Sequence, residues 1–122
     1  MKTAGFLLAL ALFAPEALFG QDAQVNGQWI GTYGNSTLQS GGDLTLRLVQ
    51  NAQDLAGTMS FKNANSGRVV NDVPVKGTLT GTRVSLKVGQ TGWFEGTVSG
   101  DSMTGKTGNA NFAPNDFTLT RK

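Results

Sequence analysis

Residues 73–99 read VPVKGTLTGTRVSLKVGQTGWFEGTVS, and apolar and polar side chains alternate through this stretch in three successive runs. Val73, Val75, Gly77 and Leu79 share one parity, Val84, Leu86 and Val88 alternate with Arg83, Ser85 and Lys87, and Phe94, Gly96 and Val98 alternate with Glu95 and Thr97. A period of two sends successive side chains to opposite faces of a pleated strand, so each run predicts a strand with one dry face and one wet face. The link 80–82 has tight hairpin length, while 89–92 is looser. Strands joined in this way run antiparallel to their neighbours.

The same pattern extends in both directions. Upstream, Trp29, Gly31 and Tyr33 alternate with Gln28, Ile30 and Thr32; Leu44, Leu46 and Leu48 alternate with Thr45, Arg47 and Val49; Leu55, Gly57, Met59 and Phe61 alternate with Ala56, Thr58 and Ser60. Downstream come Met103, Gly105 and Thr107, then Phe117, Leu119 and Arg121 against Thr118 and Thr120. With no helical period after the first twenty residues, this predicts an all-β domain of eight strands. Links 51–54, 80–82 and 100–101 are tight, whereas 34–42, 62–72, 89–92 and 108–115 are mostly longer. In an up-and-down meander alternate links fall at the same end. The expectation is therefore an eight-stranded antiparallel up-and-down β-barrel with a closed floor and an open mouth. A β-sandwich is the alternative, but it would use Greek-key crossovers for which this regular alternation gives no sign. Pro74 conflicts mildly with a strand interior, since proline cannot donate to a ladder.

Seventeen glycines in 122 residues are twice the usual share of roughly 7%. Gly31, Gly57, Gly77, Gly96 and Gly105 all fall on the apolar parity. Two readings stand: bending points that let a small barrel coil and make room for Trp29, or missing side chains that hollow the interior. Apolar-x-Gly-Thr-apolar recurs at 55–59, 75–79 and 94–98, a spacing of 20 and then 19 residues, as a repeated hairpin or as convergent strand chemistry.

Met1-Lys2 precedes the apolar run AGFLLALALFA at 4–14, and small residues follow at Ala17, Gly20 and Ala23. The run is far short of the ~20 residues of a membrane span, so 1–20 reads as a signal peptide, with cleavage expected after Gly20. A flexible segment is expected over 21–26 and a single domain over 27–122. Loss of the leader removes Lys2 and Glu16 and keeps the net charge at +2, too mild to argue for nucleic acid. The chain has neither cysteine nor histidine. That removes Ser-His and Cys-His nucleophiles, thiolate or imidazole zinc sites, disulfides and a lipoprotein anchor. A secreted or periplasmic location is expected, with no membrane attachment after leader removal.

The strand order and Gly27-Gln28-Trp29 resemble the calycin type of barrel, which includes lipocalins, fatty-acid-binding proteins and avidins; these residues look like that family's opening Gly-x-Trp. Arg121 in the last strand looks like the basic residue that packs on that tryptophan, and the resemblance implies a structural floor made by Trp29 and Arg121. Leu55-Ala56-Gly57-Thr58 and Phe117-Thr118-Leu119-Thr120-Arg121 are similar to avidin segments. The avidin biotin contacts are absent: Gly31 stands where that family has a ureido-binding asparagine, and Met59 where it has a ligand-binding tyrosine.

Catalysis is not expected. The carboxylates Asp22, Asp43, Asp54, Asp72, Asp101 and Asp116 sit mostly at turns and Glu95 has outward parity, so no inward pair can be assembled. No metal or cofactor is expected, since nothing resembles the spaced acidic ligands of a calcium loop. The open-end loops suit binding instead. Candidate ligand-binding residues are Tyr33, Asn35, Ser36, Met59, Asn63, Asn65, Trp93, Phe94, Asn111 and Phe112; a cavity among Tyr33, Met59 and Phe94 would favour a ligand, and an interior filled to the mouth would count against one. Asparagine also suits loops through its tolerance of left-handed backbone. The expected function is non-catalytic binding of a small ligand at the open end. The alternative is a secreted protein-interaction module, an inhibitor or assembly factor, using the same loops and an outward Trp93. A homo-oligomer is compatible with either. Lys76, Arg83 and Lys87 point outward from one hairpin, and a solubilising role is the simpler reading. No aromatic platform for single-stranded nucleic acid is legible beside them.

Overall fold

The computed structural model describes residues 23–35, 40–110 and 112–122. Within them the strands follow in chain order: β1 (Gly27–Asn35), β2 (Ser40–Asn51), β3 (Asp54–Asn63), β4 (Val69–Thr80), β5 (Arg83–Val88), β6 (Gly92–Ser99), β7 (Ser102–Asn109) and β8 (Phe112–Arg121). Each strand pairs antiparallel with the next, and β8 returns to pair with β1, Trp29 opposite Arg121. The sheet closes as an up-and-down barrel, and the sandwich alternative falls because there is one continuous sheet. The proposed leader, 1–20, lies outside the described residues.

Pro74 finds a place that costs no ladder bond. It lies opposite Thr58, and its carbonyl faces Gly89, just beyond Val88 at the end of β5. Its missing N–H would point the same way, toward a strand that has stopped. Just above it, a bulge shifts the β3–β4 register between Met59 and Phe61; Asp72 stands at φ 58° and donates its N–H to the Ser60 hydroxyl.

The tight turns 52–53, 81–82 and 100–101 gather at one end. In each, the first residue alone has positive φ: Ala52 at 56°, Gly81 at 61° and Gly100 at 60°, the type II′ pattern whose twist suits a hairpin. The second residue's carbonyl then accepts from the next hairpin: Gln53 from the Leu79 N–H, Thr82 from Val98 and Asp101 from Arg121, each at 2.8 Å. Each turn is thus tied to the strand beside it.

A flexible segment is expected over 21–26, but residues 23–26 cross beneath the barrel and shut it. Val25 is fully buried, its N–H donating to Gln50 Oε1 at 2.8 Å and its carbonyl accepting the Trp29 indole N–H at 3.1 Å. A buried indole needs an acceptor, and the crossing segment supplies one. Arg121 completes the floor: its guanidinium carbon stands 4.3 Å from the Trp29 ring centroid, Nε donates to Asp101 at 3.1 Å and Nη1 to the Asn26 carbonyl at 2.9 Å. Nη2 donates to the Gln24 carbonyl.

The interior is filled. Trp29, Leu46, Leu79, Phe94, Met103 and Leu119 are completely buried, and Phe94 stacks on Phe117 with centroids 4.2 Å apart. The inward glycines serve two purposes. At Gly57 a methyl group would lie 1.8 Å from the Arg47 carbonyl oxygen, and Gly31, Gly77 and Gly105 meet neighbouring carbonyls comparably. The adjacent backbone occupies the side-chain position, so these four are bending points. At Gly96 a methyl group would instead meet Phe117 Cζ at 2.9 Å and Met103 Cγ at 3.2 Å. The room opened there goes to Phe117 and Met103 rather than to Trp29 or a void. The three copies of the repeated motif are therefore not equivalent, and 55–59 also ascends the barrel while 75–79 and 94–98 descend.

Two outcomes follow from this packing. In urea unfolding, Gly57→Ala should destabilise by roughly 3 kcal/mol or more because only backbone can yield, and Gly96→Ala by about 1–2 kcal/mol because side chains can shift. Arg121→Ala should cost about 2–3 kcal/mol, a fall in Tm of roughly 10 °C, with far-UV circular dichroism unchanged. Arg121→Lys should not restore it, since an ammonium cannot reproduce the planar fork.

Candidate functional site

The mouth is built from inward positions at the upper ends of the strands. Tyr33 and Phe61, on β1 and β3, are half-buried, pack on the core, and meet edge to face with centroids 6.0 Å apart at 83°. The Tyr33 phenol donates to the Lys62 carbonyl at 3.3 Å. Burial pushes its pKa above the ordinary tyrosine value, and the Asp43 carboxylate adds to the rise. Asn109 and Asn115 are half-buried at the same end.

The expected site residues separate into distinct groups. Met59 and Phe94 have the inward parity expected of them but are 3% and 0% exposed. They belong to the core: Phe94 stacks on Phe117 across the intervening β7, where Gly96 and Gly105 leave room for the rings. Asn35 Nδ2 donates to the Pro114 carbonyl at 2.9 Å, fastening β1 to β8. Asn63 Oδ1 accepts the N–H groups of Asn65 at 2.9 Å and Ser66 at 3.0 Å, the turn-capping role open to any loop asparagine. Asn65 is exposed on that turn. Phe112 begins β8, opposite Asn109, after an irregular step in the β7–β8 register. Ser36 and Asn111 lie outside the described residues.

Sequence reasoning missed Phe61 and Asn115 as mouth residues. The parity of Phe61 was legible but its height in the barrel was not. Asn115 shares the parity of Phe117 and Leu119, but it falls in the link expected over 108–115, whereas β8 starts earlier, at Phe112.

Trp93 points outward as expected, but it is not a free platform on the rim. It is half-buried on the outer wall, its six-membered ring over Gly108, where a methyl group would lie 3.2 Å from Cζ2. An aromatic ring covering a glycine on the adjacent strand shields backbone that would otherwise be bare. Trp93 stands directly opposite Lys87, so there is an aromatic group beside the basic strip after all.

Among the described residues, hollows open on the outer wall. One, about 420 Å³, is lined by Ala56, Gly57, Pro74, Val75, Lys76, Lys87 and Gly89. Another, about 180 Å³, lies among Asp43, Thr45, Ser60, Phe61, Lys62, Val69 and Asn71. Neither lies among Tyr33, Met59 and Phe94, where a cavity would have favoured an enclosed ligand. Among the described residues, three carboxylates are engaged in ion pairs: Glu95 with Arg83, Asp116 with Lys106 and Asp101 with Arg121.

No family model matches the sequence, and no curated protein matches it. Among solved structures, the chain is similar to a de novo designed fluorescence-activating β-barrel. The TM-score is 0.57 and the identity 15%, covering 80% of this chain and 94% of that one. At that identity the likeness concerns the fold.

Tyr33 is the chain's single tyrosine, so ultraviolet titration of phenolate reads this group alone. The folded protein should titrate above the ordinary tyrosine value, and Asp43→Asn should bring the midpoint part of the way back. Because the neutral phenol is favoured in the folded state, stability holds below the unfolded value and falls as pH rises from there to the folded midpoint. Tyr33→Phe should flatten that alkaline decline.

Proposed function

We propose that the protein is an exported, non-catalytic binding module of calycin-like frame that engages a protein partner with its open-end rim. The observation that carries this reading is the filled interior, from Trp29 at the floor to the Phe94–Phe117 stack. A small molecule enclosed in the barrel would need the space those side chains occupy. The loops 64–68 and 89–91 remain as accessible surface at the mouth. The Trp29–Arg121 contact at the floor supports the calycin-like frame, and the basic start with its short apolar run supports export. The absence of cysteine and histidine from the sequence supports a binding role over a catalytic one.

A second reading is favoured by the Tyr33–Phe61 pair, whose half-buried rings could take a small planar or polar molecule at the mouth instead of inside. Native mass spectrometry of the chain recovered from its own compartment separates the two. A heteromeric complex, lost on Ala64→Arg at the exposed turn, is the result expected. A small bound mass, lost on Phe61→Ser but kept in Ala64→Arg, would establish the second reading instead. A bare monomer would sink both, and a homo-oligomer alone would replace the partner with a second copy.

A further inference from the structure

The outer wall carries an arrangement separate from the rim. Lys76 on β4 pairs directly across from Lys87 on β5, and Lys87 in turn from Trp93 on β6, so the three occupy one cross-strand row. Adjacent strands lie about 4.8 Å apart, which places Lys76 and Trp93 roughly 10 Å apart along the wall. Both lysines line the larger hollow, whose remaining lining is Ala56, Gly57, Pro74, Val75 and Gly89. Pro74 and Gly89 shape it where β5 stops short and the wall gives way.

Charge pairing on the neighbouring outer row is different. Ser85 donates to Glu95, which also pairs with Arg83 at 3.9 Å, and Lys106 pairs with Asp116 at 2.6 Å. Among the described residues no carboxylate forms an ion pair with Lys76 or Lys87. Like charges directly opposite each other on a sheet are unfavourable unless something negative sits between them. Here they stand at a hollow with an apolar lining, next to a tryptophan held in place against Gly108.

We infer that this row is a binding site for an anionic sugar chain, a carboxylate or sulfate lying between Lys76 and Lys87 and a neighbouring sugar ring resting against Trp93. A shallow open hollow suits a chain laid along the surface rather than a molecule enclosed within. Single-stranded nucleic acid would want successive aromatic platforms and a stronger basic field than a net charge of +2. A peptide strand would want a free sheet edge, and the closed barrel offers none. This site does not depend on what meets the rim.

The full folded chain should be titrated with a tetrameric oligouronate and with a sulfated tetrasaccharide, with a neutral tetrasaccharide as control. Trp29 is fully buried, so a change in tryptophan emission reports Trp93. At least one anionic sugar should bind and the neutral one should not. The Lys76→Gln/Lys87→Gln double variant should lose at least tenfold in affinity while its Tm stays level or rises, because the repulsion has gone. Trp93→Phe, followed by calorimetry, should weaken binding severalfold with the fold intact, and Lys62→Gln should change nothing. Failure of both anionic sugars to bind would overturn the inference, as would undiminished binding by the double variant. Equal or tighter binding of an oligothymidylate or a polyglutamate peptide would overturn the sugar assignment.

Discussion

A closed sheet of eight strands has to bend every strand sharply, because a small circumference leaves no room for a gently curved wall. That constraint governs the rest of this molecule. It is met where Gly31, Gly57, Gly77 and Gly105 let an adjacent carbonyl occupy the volume of a side chain. The small residues Gly96 and Gly105 leave room for Phe94 to stack on Phe117 across β7, and the register stagger ties each floor turn to the strand of the next hairpin. Closure also removes free edges, so a short chain without a disulfide satisfies its ladder entirely within itself.

Filling the interior determines where recognition can happen. A wider barrel could keep a cavity and take its specificity from inward side chains; here inward side chains build stability, with only the Tyr33–Phe61 layer half-exposed above them. Binding capacity moves to the rim and the outer wall. On the wall, most outward positions are occupied by threonine, serine and compensated charges. The row through Lys76, Lys87 and Trp93 stands out against that background.

The floor shows how a chain end can be recruited as structure. Residues 23–26 contain little that marks a regular element, yet Val25 is as buried as any strand residue. The cause is an unmet polar group: the Trp29 indole N–H points into a dry space and only a crossing backbone can reach it. Arg121 then holds the crossing segment from outside through two of its carbonyls.

Strand number, strand direction, inward parity and the three tight floor turns were determined by the sequence, because a period of two and the length of a link act locally. The mouth links were not, since the strands run on until the links expected over 34–42, 62–72 and 108–115 shrink to 36–39, 64–68 and 110–111. The pairing of Trp29 with Arg121 was legible through a family resemblance and through the topology, since the first strand starts and the eighth ends at the closed floor. Three things were decided by the tertiary structure. Whether an inward glycine marks a bend or a void depends on how near the neighbouring strand comes, which distinguishes Gly57 from Gly96 although their local sequences match. Whether Met59 and Phe94 line a site or a core depends on what arrives from across the barrel. The row that joins Lys76, Lys87 and Trp93 exists because register aligns residues from three strands, and no single segment of the chain records it.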